Sequence, residues 1–509
     1  MKKTVKLTAI LLAFVLAVSA VAPSFASSAA AAESYSVIIN PYEKIDWDNV
    51  KAYKTGLHNH TNASDGDPTL KQSIERHAEC GFDIVAITDH GTVNYTWETE
   101  NADSLIHGGL RLVGKSEGEL EYLGKEGKFD NGTSYKYATE ANGDDYLTLD
   151  SGKKIMRVPY GIEQNAVSAN AHVNSWFADY HNNGLTVYKD AVKNVDKLGG
   201  VCVINHPGEY SKARYELHSA DAYNTGNLSY KYIVNKFASL LDEYSACIGI
   251  DINSKGDGRT RFDRILWDIL LERFSSNGRT VNAICSSDAH QLDKIDTGFT
   301  YVLMKNQDSA SLKSALLNGE FIGGSHCNGN PDELKEIAAS LKEFYGETDI
   351  YKDITEVTGK MDKRVEEIEN GERDADDDIG ETYSVLDENG YYKGKTEPMV
   401  TSITVEGDRI TVNTENALLV RWISNGKTVL TSKPEEATIT LGDYAGKIGD
   451  YIRAEVFGEG GFLYTQAFIL KSAATKPMPV VEGVFIDFGF LDCLLPIFKN
   501  WSDILGRMI

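Results

Sequence analysis

Cysteine is scarce, 6 residues in 509, too few for a chain held together by a disulfide scaffold. Positive charge is outweighed: Lys and Arg number 51 against 75 Asp and Glu, a formal net charge of −24. That balance argues against a protein that coats nucleic acid through phosphate contacts, and no stable nucleic-acid complex is expected. It leaves room for a metal-lined pocket that takes one phosphate, because bound cations dominate the local field. No glycine-rich phosphate loop, no Ser-His-Asp set on a nucleophile elbow and no Cys-His nucleophile occurs, which removes several hydrolase and nucleotide-binding classes. Apolar runs long enough to matter sit at the ends. Lys2, Lys3 and Lys6 precede an apolar stretch over 7–21, and Ser24-Phe25-Ala26 suits cleavage. Residues 1–26 read as a secretory signal peptide, so the mature chain is expected to be secreted or extracytoplasmic. The tail, 473–509, is apolar but carries Glu482, Asp487, Asp492 and Asp503, which argues against a membrane span. Packing against the protein is the default for it, with cell-surface association as the alternative.

Hydrophobic residues make up 42% and charged residues 25%, both ordinary for a globular chain. From 47 to 328, short apolar runs alternate with amphipathic stretches. Strands are expected at 53–57, 84–87, 156–162, 201–204, 247–252, 281–285 and 300–304. Helices are expected at 70–80, 187–198, 230–241 and 262–274. Such alternation predicts parallel strands with crossover helices, and seven strands approach a closed (β/α) barrel. An insertion over 91–154 interrupts the pattern. Cys202, Cys247 and Cys285 fall in apolar runs and Cys80 ends a helical stretch, so buried free thiols are expected. Residues 329–397 read as an acidic, helical, solvated linker with the run Asp374-Ala375-Asp376-Asp377-Asp378. Alternating runs from 398 to 472, spaced by turn residues, predict a small β-sandwich.

The chemistry collects at strand ends. Leu57-His58-Asn59-His60 follows the first strand, and on an extended chain the two imidazoles point the same way. Asp65 lies five residues on. The next strands end in Thr88-Asp89-His90, Gly161-Ile162-Glu163 and Asn205-His206-Pro207, and the sixth ends in Ser287-Asp288-Ala289-His290. Strand C-termini of a parallel barrel converge on one face. Ionisable groups at the ends of buried strands cost free energy unless they are paired or bind metal. Six or more N and O donors exceed what one tetrahedral zinc needs, so a multinuclear site is expected, with Glu163 available as a bridge.

These motifs resemble those of the polymerase and histidinol phosphatase (PHP) family over 47–328. The resemblance implies a distorted (β/α)7 barrel with three divalent ions, zinc, manganese or iron. It implies hydrolysis of a small-molecule phosphoester or nucleotide by a metal-activated hydroxide. It implies that His58, His60, Glu163 and Asp288 hold one ion. Glu163, His206 and one further histidine hold a second; Asp65, His90 and His290 hold a third. His172 is the candidate for the further histidine, with His181 as the alternative. Catalytic roles fall on His58, His60, Glu163, Asp288 and His290.

Lys255, Arg259 and Arg261 follow the fifth strand; Lys255 and Arg259 are candidates for clamping a phosphate through charge-assisted bonds. Asp89 either orients an imidazole or caps the turn after it. His326 is expected in an exposed loop, His77 on a helix surface, and His107 and His218 in loops. Two other functions stay in view. An amidohydrolase-type enzyme also uses His-x-His on a barrel, but commonly with a bridging lysine where Glu163 stands here. A non-catalytic cell-surface module would carry a vestigial barrel and little metal.

Overall fold

A computed structural model describes residues 34–99, 119–166, 169–181, 187–210, 228–372 and 381–489. The expected signal segment 1–26, His107, His218, the 374–378 acidic run and the end of the tail from 490 lie outside the described residues. The chain is a mixed α/β protein. Three extended segments run parallel in succession. Lys51–Gly56 pairs with Ile84–Val85, and Ile84–Val85 with Lys154–Arg157. Backbone bonds carry this ladder upward. The amide of Thr88 donates to the carbonyl of Asn59 at 2.9 Å, and that of Glu163 to Thr88 at 3.1 Å. A second sheet holds Ile162–Ala166, Ala169–Trp176, Val201–Ile204, Cys247–Ile252 and Asn282–Cys285. Its last three strands are mutually parallel. Ala169–Trp176 is antiparallel to both neighbours, because only two residues, too few for a crossover helix, separate it from Ile162–Ala166.

The expected run of parallel strands fails at its last member. Gly298–Met304 pairs antiparallel with Lys51–Gly56, Thr300 facing Thr55. The 12 residues that separate it from the preceding strand form only a short 3₁₀ turn, Leu292–Lys294, and no crossover helix.

Residues 329–369 are also unlike a solvated linker. Helices Pro331–Tyr345 and Asp349–Glu369 are well capped: Asn330 accepts from the amides of Asp332 and Glu333, and Thr348 from that of Tyr351. Leu334, Ile337, Leu341, Ile354 and Met361 are buried in the same core as the Cys247–Ile252 strand. Most acids of the pair, Asp332, Glu336, Glu343, Asp349 and Glu356 among them, lie on the outer face, whereas Glu333 turns inward, so the charge visible in sequence marks chiefly one side of an amphipathic pair.

The C-terminal region is all β, as expected, but part of it extends the N-terminal sheet. Gly461–Thr465 pairs antiparallel with Phe321–Ser325, and Phe468–Lys471 with the N-terminal strand Ser36–Ile39. Exposed sheet edges are aggregation-prone and favour such cover. A separate three-stranded sheet, Met399–Glu406, Arg409–Glu415 and Thr438–Thr440, packs Ile403, Ile410, Val412 and Ile439 into a core shared with Ile74, Phe82 and Phe299. The insertion likewise becomes sheet: Ser134–Thr139 and Asp145–Leu149 form an antiparallel meander on the edge of Lys154–Arg157. Where the described chain resumes at Glu119, its carbonyl accepts from Asn62 Nδ2 at 3.0 Å, beside the loop that carries Asp65. No described helix is long and apolar enough to cross a membrane.

Candidate metal centre

Alternation along the chain aims His58 and His60 one way and Asn59 the other. Asn59 Nδ2 donates to the carbonyl of Ala86 at 3.1 Å, and Ser287 Oγ donates to Asn59 Oδ1 at 3.1 Å. This ties three neighbouring segments behind the two imidazoles. Gly66 lets the following loop fold tightly: a Cβ there would lie 2.7 Å from the backbone carbon of His60. Gly161 does the same between strands, where a Cβ would lie 2.6 Å from the carbonyl oxygen of Ile87. That close approach sets Glu163 beside His90.

All nine side chains expected as donors come together. His58 Nε2 and His60 Nε2 are 3.2 Å apart, and each lies 3.1–3.2 Å from Asp288 Oδ1. Glu163 Oε2 is 3.2 Å from His60 Nε2, 3.6 Å from His58 Nε2 and 2.9 Å from His90 Nδ1. Its other oxygen is 2.8 Å from His172 Nδ1 and 3.5 Å from His206 Nε2. Asp65 lies 3.4 Å from both His90 Nε2 and His290 Nε2. Donors around a tetrahedral ion at about 2.1 Å stand roughly 3.4 Å from one another, the spacing found here. Three groups could each hold an ion: His58, His60, Glu163 and Asp288; His60, Asp65, His90 and His290; and His90, Glu163 and His172. His172, rather than the exposed His181, is the histidine beside Glu163. His206 also reaches Asp288 Oδ2 at 3.5 Å.

The cluster fits divalent cations on its own evidence. Glu163 Oε2 and Asp288 Oδ1 are buried and face imidazole nitrogens rather than any backbone or amide donor among the described residues, and Asp288 Oδ2 faces Lys255 Nζ at 3.2 Å. Carboxylates and imidazoles buried this closely together need protons or cations between them. Titration says the same. Burial depresses His58, but the Asp288 and Glu163 carboxylates outweigh it and raise its pKa to about 10. Burial pushes Asp65 up, yet His290 and His90 hold it well below the usual carboxylate range. The site attracts positive charge, whether protons or metal ions. His206 and Asp288 adopt positive φ, 25° and 47°, strain of a kind that clusters at functional sites.

Several contributors were not visible in the sequence motifs. Asp251 Oδ2 lies 3.2 Å from His58 Nδ1 and also accepts from Ser286 Oγ. A carboxylate on one ring nitrogen leaves the other, Nε2, as the metal-facing lone pair. The signal was a single acid inside an apolar strand, Ile250-Asp251-Ile252. Glu209 gathers cations: Lys255 Nζ stands 2.6 Å from Oε2, and Arg259 pairs with Oε1. Lys255 Nζ is also 3.2 Å from Asp288 Oδ2, whereas Arg259 is 54% exposed. Arg261 is buried and donates to the carbonyl of Gly258 at 2.6 Å. Asp89 accepts from Thr61 N, Thr61 Oγ1 and Ser64 Oγ, each at 2.7 Å. It therefore fixes the loop after His60 and reaches the ring through Ser64, 3.4 Å from His60 Nδ1.

Two histidines expected at the surface are buried. His77 donates from Nδ1 to the carbonyl of Ser73 at 2.7 Å, on the inner face of its helix. His326 sits in a separate cluster with Asp296 and Glu397, because Phe321–Ser325 is an inner strand rather than a loop edge. Cys202, Cys247, Cys285 and Cys327 are buried free thiols and Cys80 is a partly buried one.

A family model described as the PHP domain matches residues 56–254. The match contains His58 through His206 and ends before Lys255, Asp288 and His290, which the fold brings to the same place. No curated protein matches the chain. Three solved structures are similar. A two-domain protein containing a predicted PHP-like metal-dependent phosphoesterase from Bacteroides vulgatus ATCC 8482 is 12% identical with a TM-score of 0.33, covering 87% of this chain and 96% of its own. PsfC from Pseudomonas syringae PB-5123 is 12% identical with a TM-score of 0.30, covering 52% and 88%. The lesion-specific endonuclease PfuEndoQ from Pyrococcus furiosus is 13% identical with a TM-score of 0.28, covering 52% and 56%. None of these distant likenesses carries an activity over to this chain.

Proposed function

We propose that this chain is an exported metal-dependent phosphoesterase acting on a small phosphate ester or nucleotide at a three-ion centre. One observation carries the reading: buried Glu163 Oε2 and Asp288 Oδ1 have no backbone, amide or lysine donor among the described residues while imidazoles crowd them at 2.9–3.6 Å. His58, His60, Glu163 and Asp288 would hold one ion. Glu163, His172 and His206 would hold a second, and Asp65, His90 and His290 a third. Zinc, manganese and iron all suit this mixture of imidazole and carboxylate. The strands around it are read as a distorted barrel, a view supported by the parallel bridge between Asn59 and Ala289.

Divalent ions in such a site act as Lewis acids on a phosphoryl oxygen and lower the pKa of water. The chain's own residues supply the rest. Asp251 and Asn205 fix the donors, Asn205 Nδ2 donating to Glu163 Oε1 at 2.8 Å. Lys255 faces the Asp288 side and offsets charge on the phosphoryl oxygens; Arg259 adds a second, outer cation. The leaving oxygen takes its proton from water at the solvent-facing lip, beside His290, which at 34% exposed is the most open of the nine donors. A glutamate at the bridging position favours phosphoesters over the lysine-bridged amidohydrolase chemistry.

The test is hydrolysis by the metal-loaded chain of p-nitrophenyl phosphate and bis-p-nitrophenyl phosphate beside carboxylic esters and amides. The proposal expects turnover of a phosphoester. Activity confined to carboxylic esters or amides would transfer the chain to the amidohydrolase type. No turnover together with no bound metal would leave a surface module.

A further inference from the structure

The loop that presents Lys255 is conformationally expensive. Asn253, Lys255 and Asp257 have φ of 57°, 53° and 64°, with Gly256 at 68° between them. Non-glycine residues keep such angles only where the surroundings over-determine them. Here the surroundings come from far along the chain. Arg264 reads both ends of the loop: Nη1 donates to Asn253 Oδ1 and to Asp257 Oδ2, the latter at 2.6 Å. Its Nη2 pairs with Glu333 on the Pro331–Tyr345 helix. Glu333 Oε1 lies 3.3 Å from Arg421 in the C-terminal region. Arg421 pairs with Glu455 at 2.7 Å, Glu455 with Arg453 at 2.6 Å, and Arg453 with Asp268 at 2.8 Å. Asp268 stands one turn beyond Arg264 on the Phe262–Ser275 helix, so the circuit closes. A direct contact runs beside it: Asn253 Nδ2 donates to Tyr464 Oη at 3.0 Å. All these side chains are buried or nearly so.

We propose that the C-terminal β region is a working part of the anion-binding side of the centre, holding Lys255 toward Asp288 through Tyr464 and the Arg264–Glu333–Arg421 relay. These four are positioning residues. The inference rests on the reading that Lys255 meets the substrate's phosphoryl group. Charge pairs this deeply buried contribute little net stability against apolar substitutes, and a relay ending on a strained loop beside the donor cluster has a positional use. The backbone of the loop is fixed from the other side as well, Lys255 N donating to the carbonyl of Ser287 at 3.1 Å and Gly329 N to Asp257 Oδ2 at 3.1 Å.

The experiment uses the full chain, p-nitrophenyl phosphate as substrate and inorganic phosphate as inhibitor. Tyr464→Phe is the mild variant and Arg421→Lys the second, each made also in a Lys255→Ala background. The expected result is unchanged metal content and melting temperature for Tyr464→Phe. KM and the phosphate inhibition constant rise roughly three- to tenfold, kcat changes less, and the effect disappears once Lys255 is alanine. KM unchanged in both single variants, or an equal effect with and without Lys255, overturns the inference while the phosphoesterase reading stands. A wild-type chain with neither metal nor turnover removes that reading, and the inference with it.

Discussion

Two buried clusters in this molecule contain histidine, aspartate and glutamate within coordination distance, and they behave oppositely. In the first, around Glu163 and Asp288, Lys255 reaches only Asp288 Oδ2, and Glu163 Oε2 and Asp288 Oδ1 face imidazoles alone among the described residues. In the second, Asp296, His326 and Glu397, one protein ammonium bridges both carboxylates. Lys54 Nζ lies 2.7 Å from Asp296 and 3.2 Å from Glu397. His326 Nδ1 donates to the carbonyl of Asp296 at 2.7 Å, its Nε2 lies 3.1 Å from Glu397, and Tyr301 Oη donates to the same carboxylate. Burial lowers the Lys54 pKa, but Asp296 and Glu397 outweigh it and raise it. Residue types alone do not separate a metal centre from a structural ion-pair cluster. The separating feature is whether protein donors already account for the buried negative charge.

The largest effect should come from the first cluster. His58→Ala with His60→Ala removes both imidazoles of one donor group, and His60 also belongs to a second. Metal content measured by elemental analysis should collapse and phosphoester turnover fall to background, while Glu397→Gln keeps both. Retained turnover in the double variant would erase the contrast. In the second cluster, Lys54→Met strands buried Asp296 and takes one partner from half-buried Glu397, and should destabilise by about 3–5 kcal/mol in urea unfolding, with metal content unchanged.

Asp251→Ala tests a supporting residue. It should weaken metal affinity by about 10- to 100-fold, read by competition with a chelator, and leave the fold intact. The smallest effect is one of pH. Burial pushes Glu397 up, but His326, Lys54 and Tyr301 hold it well below the usual carboxylate range. Its contribution to stability is therefore complete above roughly pH 4.5 and is lost as pH falls through the depressed folded value. The difference in urea midpoint between wild type and Glu397→Gln should shrink from pH 6 to pH 3. A constant difference would show that Glu397 does not titrate as the geometry requires.

Most donors of the first cluster were legible because they are local, a His, Asp or Glu at or shortly after the end of an apolar strand; His172 came only from the family resemblance, with His181 as the alternative. Asp251 was not, since its partner His58 is 193 residues away and nothing in a buried strand's composition marks one acid as paired. His326 read as a loop histidine because Gly323 and Gly324 precede it. In the fold those glycines admit Cys285 and Phe299, whose atoms would lie 2.6 and 2.2 Å from an added Cβ. Apolar periodicity gave the positions of strands but not their direction, hence the antiparallel Gly298–Met304. It was equally silent on pairing partners, so Gly461–Thr465 gave no sign of joining Phe321–Ser325.

The most direct measurement is an anomalous-scattering crystal structure of the chain purified with its metal. The account predicts peaks with donors such as His58 Nε2, His60 Nε2 and Glu163 at about 2.0–2.3 Å, and none between Asp296, His326 and Glu397. Density for an ion at the second cluster, or its absence at the first in active protein, would contradict it.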